Sequence, residues 1–149
     1  MLADDPGLGK TAQALTCCAH YRKRFPVLIV CPNAVVHNWA REIKIWLRDG
    51  DKLIPESAIQ FVEKKKEDAR PSVMTKFVIC SYAIAKSKQE DGSLRGADFG
   101  VIICDESHEL KSPSTQVTIN ITQLVQDSRR ARDGQVTVLL ITGTPALSR

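Results

Sequence analysis

The amino-acid sequence predicts an α/β domain: a parallel central sheet with helices on both faces. Three observations carry that expectation. The short, wholly apolar runs Val27-Leu-Ile-Val-Cys31, Phe77-Val-Ile-Cys80 and Val101-Ile-Ile-Cys104 have the pattern of strands covered on both sides. Segments with apolar residues at helical spacing lie between them, so strand and helix alternate as in βαβ units. Near the start, Gly7-Leu-Gly-Lys-Thr11 leads into a helical pattern, as a phosphate-binding loop does.

Length and composition set the frame. The 149 residues suit one domain. Hydrophobic residues make up 43% and charged residues 26%, ordinary for a folded domain, so the composition asks for neither disorder nor a membrane. Apolar runs stay well short of the roughly 20 residues of a membrane span. The net charge of +4 is a mild hint of a polyanionic partner. The five cysteines are odd in number and include no C-x-x-C pair, so neither a disulfide framework nor a zinc site is indicated and a reducing compartment is inferred. Asn120-Ile-Thr122 matches a glycosylation acceptor formally, and is read as chance.

Taken in order, Thr11 to about Arg24 reads as a helix with Ala12, Leu15, Cys18 and Ala19 at helical spacing, stopped by Pro26. Val27 to Cys31 is a strand, ended by Pro32-Asn33. Residues 34–47 form a second helix, whose Trp39 and Trp46 lie seven apart and are both assigned to core packing. Asp49-Gly-Asp51 is a turn, 58–62 a short strand, and 63–70 a charge-dense loop or helix in which Lys64-Lys-Lys66 reads as a solvated face. After the strand 77–80, Ser81-Tyr82 opens a loop or short helix, and 89–98 is an exposed connection. The strand 101–104 delivers Asp105-Glu-Ser-His108 into a loop. A helix over 115–132 and a strand over 136–141, followed by Thr142-Gly-Thr-Pro145, complete the chain.

A parallel sheet gathers its ligand site at the carboxyl ends of its strands. Pro32-Asn33, Ser81-Tyr82, Asp105 to His108 and Thr142 to Thr144 all occupy that position, which puts them on one edge with the loop. In the loop, Asp5, Gly7, Leu8, Gly9, Lys10 and Thr11 are the nucleotide-binding candidates: the glycines allow tight turns, backbone N–H groups face the phosphates and the lysine adds a point charge. The Thr11 hydroxyl and the Asp105 carboxylate then hold a magnesium ion. Glu106 is positioned to orient or deprotonate an attacking water, and His108 to link the site to neighbouring loops. Cys31, Cys80 and Cys104 close successive strands and read as small core residues.

These residues resemble a family. Asp4-Asp5 with Gly7-Leu-Gly-Lys-Thr11 is similar to motif I of the SWI/SNF-type helicase-like ATPases of superfamily 2, and Leu28-Ile-Val-Cys-Pro32 with Asn38-Trp39 and Glu42 to motif Ia. Phe77 to Tyr82 resembles motif Ib, Asp105-Glu-Ser-His108 with Leu110-Lys111 the DEAH-like motif II, and Leu140 to Arg149 motif III. The Asp-Glu-Ser-His spelling and the Ala-Leu-Ser-Arg tail are most similar to the HepA-related annealing helicases. Pro6 stands where the family usually has Met, and Ser112-Pro113 replaces its more usual Lys-Asn.

The resemblance implies a three-layer, RecA-like P-loop domain, the first lobe of an ATP- and magnesium-dependent DNA translocase. Residues 1–149 are that lobe, with the second lobe and its arginine fingers absent. It implies that Pro32, Asn33, Ser81 and Tyr82 contact phosphates of double-stranded or branched DNA without reading sequence. Thr142 and Thr144 then couple that track to the nucleotide. Chromatin or repair proteins as partners and a nuclear location follow from the same resemblance. Only Met1-Leu2-Ala3 precedes the loop, so the first strand is expected to be a stub or missing, the lobe to be truncated at its N-terminus, and the chain alone to be inactive. The rival expectation is a truncated, catalytically silent P-loop fragment that serves as an interaction module.

Overall fold

A computed structural model describes residues 2–3, 9–64, 68–86, 94, 96–110 and 112–143. Strands β1 (Leu2–Ala3), β2 (Val27–Cys31), β5 (Ile59–Val62), β6 (Phe77–Ser81), β7 (Val101–Cys104) and β8 (Thr137–Thr142) form one sheet in the order β1-β8-β7-β2-β6-β5. Every pairing in it is parallel. The strand anticipated before the loop is present as the two residues of β1. A separate antiparallel pair, β3 (Arg48–Asp49) and β4 (Lys52–Leu53), closes around the turn at Gly50, which adopts φ 64°.

The helices are α1 (Lys10–His20), α2 (Val36–Trp46), α3 (Tyr82–Ala85) and α4 (Gln116–Ala131). Strand residues alternate between two cores, because successive side chains of a strand point to opposite faces. Val27, Ile29 and Cys31 of β2 join Ala14, Leu15 and Cys18 of α1 and Val36, Trp39 and Ile43 of α2. Leu28 and Val30 join Ile84 of α3 and Val117, Ile121 and Leu124 of α4 on the other face. All five β2 side chains are completely buried, and full burial of such a side chain stabilises by about 1.5–3 kcal/mol. The result is the three-layer arrangement the sequence predicts.

Local chemistry sets the element ends. The helical pattern after Thr11 divides into α1 and a short 3-10 turn, Arg22–Arg24. α4 starts after Pro113, where Thr115 caps it by accepting a hydrogen bond from the Thr118 amide at 3.4 Å. Asn120 is buried and its amide donates to the Ala85 carbonyl at 2.8 Å, so the formal glycosylation acceptor is a structural contact between α3 and α4. Residues 63–64 and 68–70 are irregular rather than helical, and most of the connection 89–98 lies outside the described residues.

The assignment of both tryptophans to the core is corrected. Trp39 is 1% exposed, but Trp46 is 57% exposed, with its indole N–H on Glu42 Oε2 at 2.8 Å. The helix ends at Trp46, and Leu47, in extended backbone, turns into the buried place instead. Among the described residues no helix is long and apolar enough to cross a membrane.

Candidate nucleotide-binding site

Parallel register brings the polar clusters to one edge. Val30 lies opposite Cys80 and Cys104, and Cys104 opposite Leu140, so β2, β6, β7 and β8 end nearly level. Ala3, which leads into the loop, lies opposite Thr142. Of the loop itself, Asp5, Gly7 and Leu8 lie outside the described residues, as does Thr144. Gly9 caps α1 in the left-handed conformation, φ 70°, which costs glycine little and other residues more. Gly9 has no side chain to cap the helix, and an α-helix leaves its first N–H groups without intrahelical partners. Lys10 and Thr11 follow in the first turn of α1, where those groups and the helix dipole favour an anion.

Asp105 is the junction of the site. Its amide donates to the Val30 carbonyl at 2.8 Å, extending the sheet by one bond beyond β7. Its Oδ1 accepts the Glu106 amide at 3.0 Å, and its Oδ2 accepts the indole N–H of Trp39 at 2.9 Å. Its carbonyl accepts the Tyr82 hydroxyl at 2.8 Å. Burial pushes the Asp105 carboxyl above its ordinary range, and the neighbouring Glu106 charge adds to that. The Trp39 and Glu106 hydrogen bonds and the positive charge of Lys10 pull the other way. The charge of Lys10 thus bears on the strand-end carboxylate as the weakest of these influences.

Glu106 is held at φ 51°, a left-handed conformation that non-glycine residues seldom adopt. The following residues, Ser107–Leu110, form a 3-10 turn rather than a loop and pack beside β8. His108 Nδ1 lies 3.1 Å from Glu106 Oε2, off the line of a hydrogen bond, and is shielded from solvent. Thr142 is buried at the end of β8.

Among the described residues no three His, Cys, Asp or Glu side chains come together as a metal cage. Magnesium needs none, since it is commonly held by one or two protein oxygens plus substrate phosphates. Asp105 and Thr11 offer hard oxygen donors of that kind, so the residues fit the ion. Cys31, Cys80 and Cys104 are fully buried, and burial pushes the Cys31 and Cys104 thiols up to about 12 and that of Cys80 higher still. They are core residues, as expected.

The four residues assigned to DNA divide. Asn33 is exposed and Pro32 half-buried, at the start of a 3-10 turn, Asn33–Val35. Ser81 and Tyr82 are buried at the start of α3, and the Tyr82 phenol points inward to Asp105. The Tyr82 hydroxyl is thus taken up by Asp105, which leaves the backbone at the start of α3 as the group Tyr82 can offer to a phosphate. Burial also raises its hydroxyl pKa far above the ordinary value, so it stays a donor. Sequence reasoning missed the polar roles of Trp39 and Tyr82. A signal existed: a buried indole N–H or phenol usually finds a partner, and both residues follow strand ends that face the site.

A parallel α/β sheet whose carboxyl edge carries a strand-end acid and a helix opening on Gly9-Lys10-Thr11 defines a nucleotide-binding class of protein. Within that class, the chain belongs to the SNF2-related domain family, whose model matches residues 1–148. It is 36% identical over 151 residues to the human DNA annealing helicase and endonuclease ZRANB3, covering 100% of this chain and 13% of that protein. It is 36% identical over 149 residues to the Xenopus tropicalis SWI/SNF-related matrix-associated actin-dependent regulator of chromatin subfamily A-like protein 1, covering 100% of this chain and 14% of that one. The chain therefore spans about one-seventh of the length of these relatives. The fold is similar to the Sulfolobus solfataricus SWI2/SNF2 ATPase core in complex with dsDNA, with a TM-score of 0.63 and 22% identity over 97% of this chain and 27% of that chain.

Proposed function

We propose that this chain is the ATP-binding first lobe of a DNA-dependent ATPase that works on double-stranded or branched DNA in strand annealing, fork repair or chromatin remodelling. The observation that carries the proposal is the arrangement of one sheet edge, where Lys10 and Thr11 open α1 behind Gly9 and Asp105 follows the end of β7, so that a cation for phosphates and an acid for a metal share that edge. Family membership and the relatives' printed activities support it.

Lys10 offsets phosphate charge, while the N–H groups at the start of α1 hold phosphate oxygens. Thr11 and Asp105 hold magnesium, which when bound neutralises charge on the transferring phosphoryl group. Glu106 orients the attacking water and takes its proton. His108, Thr142 and Thr144 link this centre to the DNA side of the edge. There Pro32, Asn33 and the backbone of Ser81 and Tyr82 meet strand phosphates, a contact indifferent to base sequence. Chromatin or repair proteins are the partners and the nucleus the place of action.

Titration of a fluorescent ATP analogue with magnesium into wild type and Lys10→Ala tests the proposal. Binding by the wild type should be magnesium-dependent and at least tenfold weaker in the variant, since the lost contact is charge-assisted. Equal affinities would overturn the phosphate-loop assignment. Duplex DNA should bind weakly, without sequence preference, and less as salt rises. Hydrolysis needs an arginine beside the transition state, worth about a thousandfold or more. DNA-stimulated turnover is accordingly expected from a protein with both lobes and not from these 149 residues alone.

A further inference from the structure

Two aromatic side chains reach Asp105 from opposite faces of the sheet. Trp39 belongs to the core formed with α1 and α2, and Tyr82 to the core formed with α3 and α4. The indole N–H of Trp39 is on the carboxylate at 2.9 Å, and the Tyr82 hydroxyl is on the carbonyl of the same residue at 2.8 Å. Each aromatic also stands next to a segment at the sheet edge. The turn Asn33–Val35 runs directly into α2, whose first turn contains Trp39, and Tyr82 is the first residue after Ser81.

We propose that Trp39 and Tyr82 are paired positioning residues that set the Asp105 carboxylate for magnesium and carry the state of the segments after β2 and β6 into the nucleotide site. The proposal rests on the ATPase reading above.

The geometry accounts for the function of each contact. A carboxylate offers about four lone-pair positions. The Glu106 amide takes one on Oδ1 and the Trp39 indole takes one on Oδ2, which fixes the plane of the group and leaves the others to a cation. Tyr82 holds the backbone of the same residue, so neither end of Asp105 turns freely. Trp39 is 1% exposed and Tyr82 9%. Close-packed side chains transmit displacement rather than absorb it. A phosphate that shifts the turn at Asn33 or the start of α3 moves a hydrogen-bond donor on Asp105. By linkage, magnesium on Asp105 biases the same two segments.

The test has two arms. In the first, wild-type chain labelled with nitrogen-15 is followed by its two indole resonances. Trp46, exposed and bonded to Glu42, is the internal reference. Magnesium with ADP, and then duplex DNA, should each move the Trp39 resonance and leave that of Trp46 in place. In the second arm, Trp39→Phe and Tyr82→Phe remove one donor each and keep the ring. The magnesium concentration for half-maximal binding of fluorescent ADP should rise about tenfold for Trp39→Phe and about threefold for Tyr82→Phe. Affinity at saturating magnesium should change little, a split that general unfolding does not produce. Wild-type half-saturation in both variants, or a Trp39 resonance that DNA leaves unmoved, would overturn the relay while the ATPase reading stands. A wild type that takes up no magnesium nucleotide would overturn both. Should either variant fail to fold, the wild-type resonances still decide.

Discussion

The amide of Glu106 donates to the carboxylate of the residue before it, Asp105 Oδ1, at 3.0 Å, and this contact is made with Glu106 at φ 51°. The local backbone strain, about 1–2 kcal/mol for a residue with a Cβ, sits at the residue assigned to the attacking water. Glu106→Gly removes the strain and, against the greater freedom of glycine in the unfolded chain, should melt no lower than wild type in a thermal scan. Glu106→Gln should melt like wild type, bind magnesium ATP normally and, in a two-lobed protein, lose at least a hundredfold in turnover. Lower stability in the glycine variant would mean that the carboxylate side chain itself supports the fold.

Asp105 should show the opposing demands of stability and function. Burial raises its folded pKa above the ordinary 3.8, so the native state holds the proton more tightly than the unfolded state does. Stability is therefore greatest below 3.8 as far as this group is concerned, falls as pH rises through the raised value, and is level above it. Asp105→Asn removes that loss but has a single oxygen for two donors, the Trp39 indole and the Glu106 amide, so one hydrogen bond is given up and at neutral pH its Tm should stay close to that of wild type. Magnesium-dependent nucleotide binding should be lost. A clear drop in Tm at pH 7 would show that the ionised form is held favourably after all.

Away from the site, Gly100 marks a close backbone approach. A Cβ there would stand 1.7 Å from the Arg24 carbonyl oxygen and 2.8 Å from Arg132 Nη1. The backbone cannot yield, because the Gly100 amide bonds Pro26 O at 3.0 Å and its carbonyl accepts Thr137 N at 2.9 Å. Gly100→Ala should cost about 3 kcal/mol or more in urea unfolding. Gly50→Ala, with open space around it but φ 64°, should cost only about 1 kcal/mol. Similar losses at the two positions would refute the packing argument.

The five free cysteines should separate on alkylation. Cys17 is half-exposed, whereas Cys18, Cys31, Cys80 and Cys104 are buried. Burial pushes Cys18, Cys31 and Cys104 up to about 12, which leaves roughly one thiolate in ten thousand at pH 8. Mass spectrometry after brief iodoacetamide treatment should find a single label on the native chain, at Cys17, and labels on all five cysteines in denaturant. Rapid labelling of Cys31 or Cys104 in the native chain would mean that the strand ends at the site open readily.

What the sequence by itself determined is the alternation of strands and helices, the three cysteine-closed strands, and the gathering of Lys10, Asp105, Glu106 and Thr142 on one edge. Those follow from local rules: apolar runs too short for helices, helical spacing between them, and the parallel topology that alternation requires. Tertiary structure alone decided how the side chains at that edge are used. Trp39 and Trp46 fall seven apart on one helix, yet one reaches Asp105 and the other faces solvent, because the helix ends where the second would pack. Tyr82 turned inward because its partner lies at the end of another strand, and Glu106 took a left-handed backbone that its residue type does not announce. Asp105 is 66 residues from Trp39 and 23 from Tyr82. Hydrogen bonds across such separations depend on sheet register and helix placement, which only the assembled layers specify.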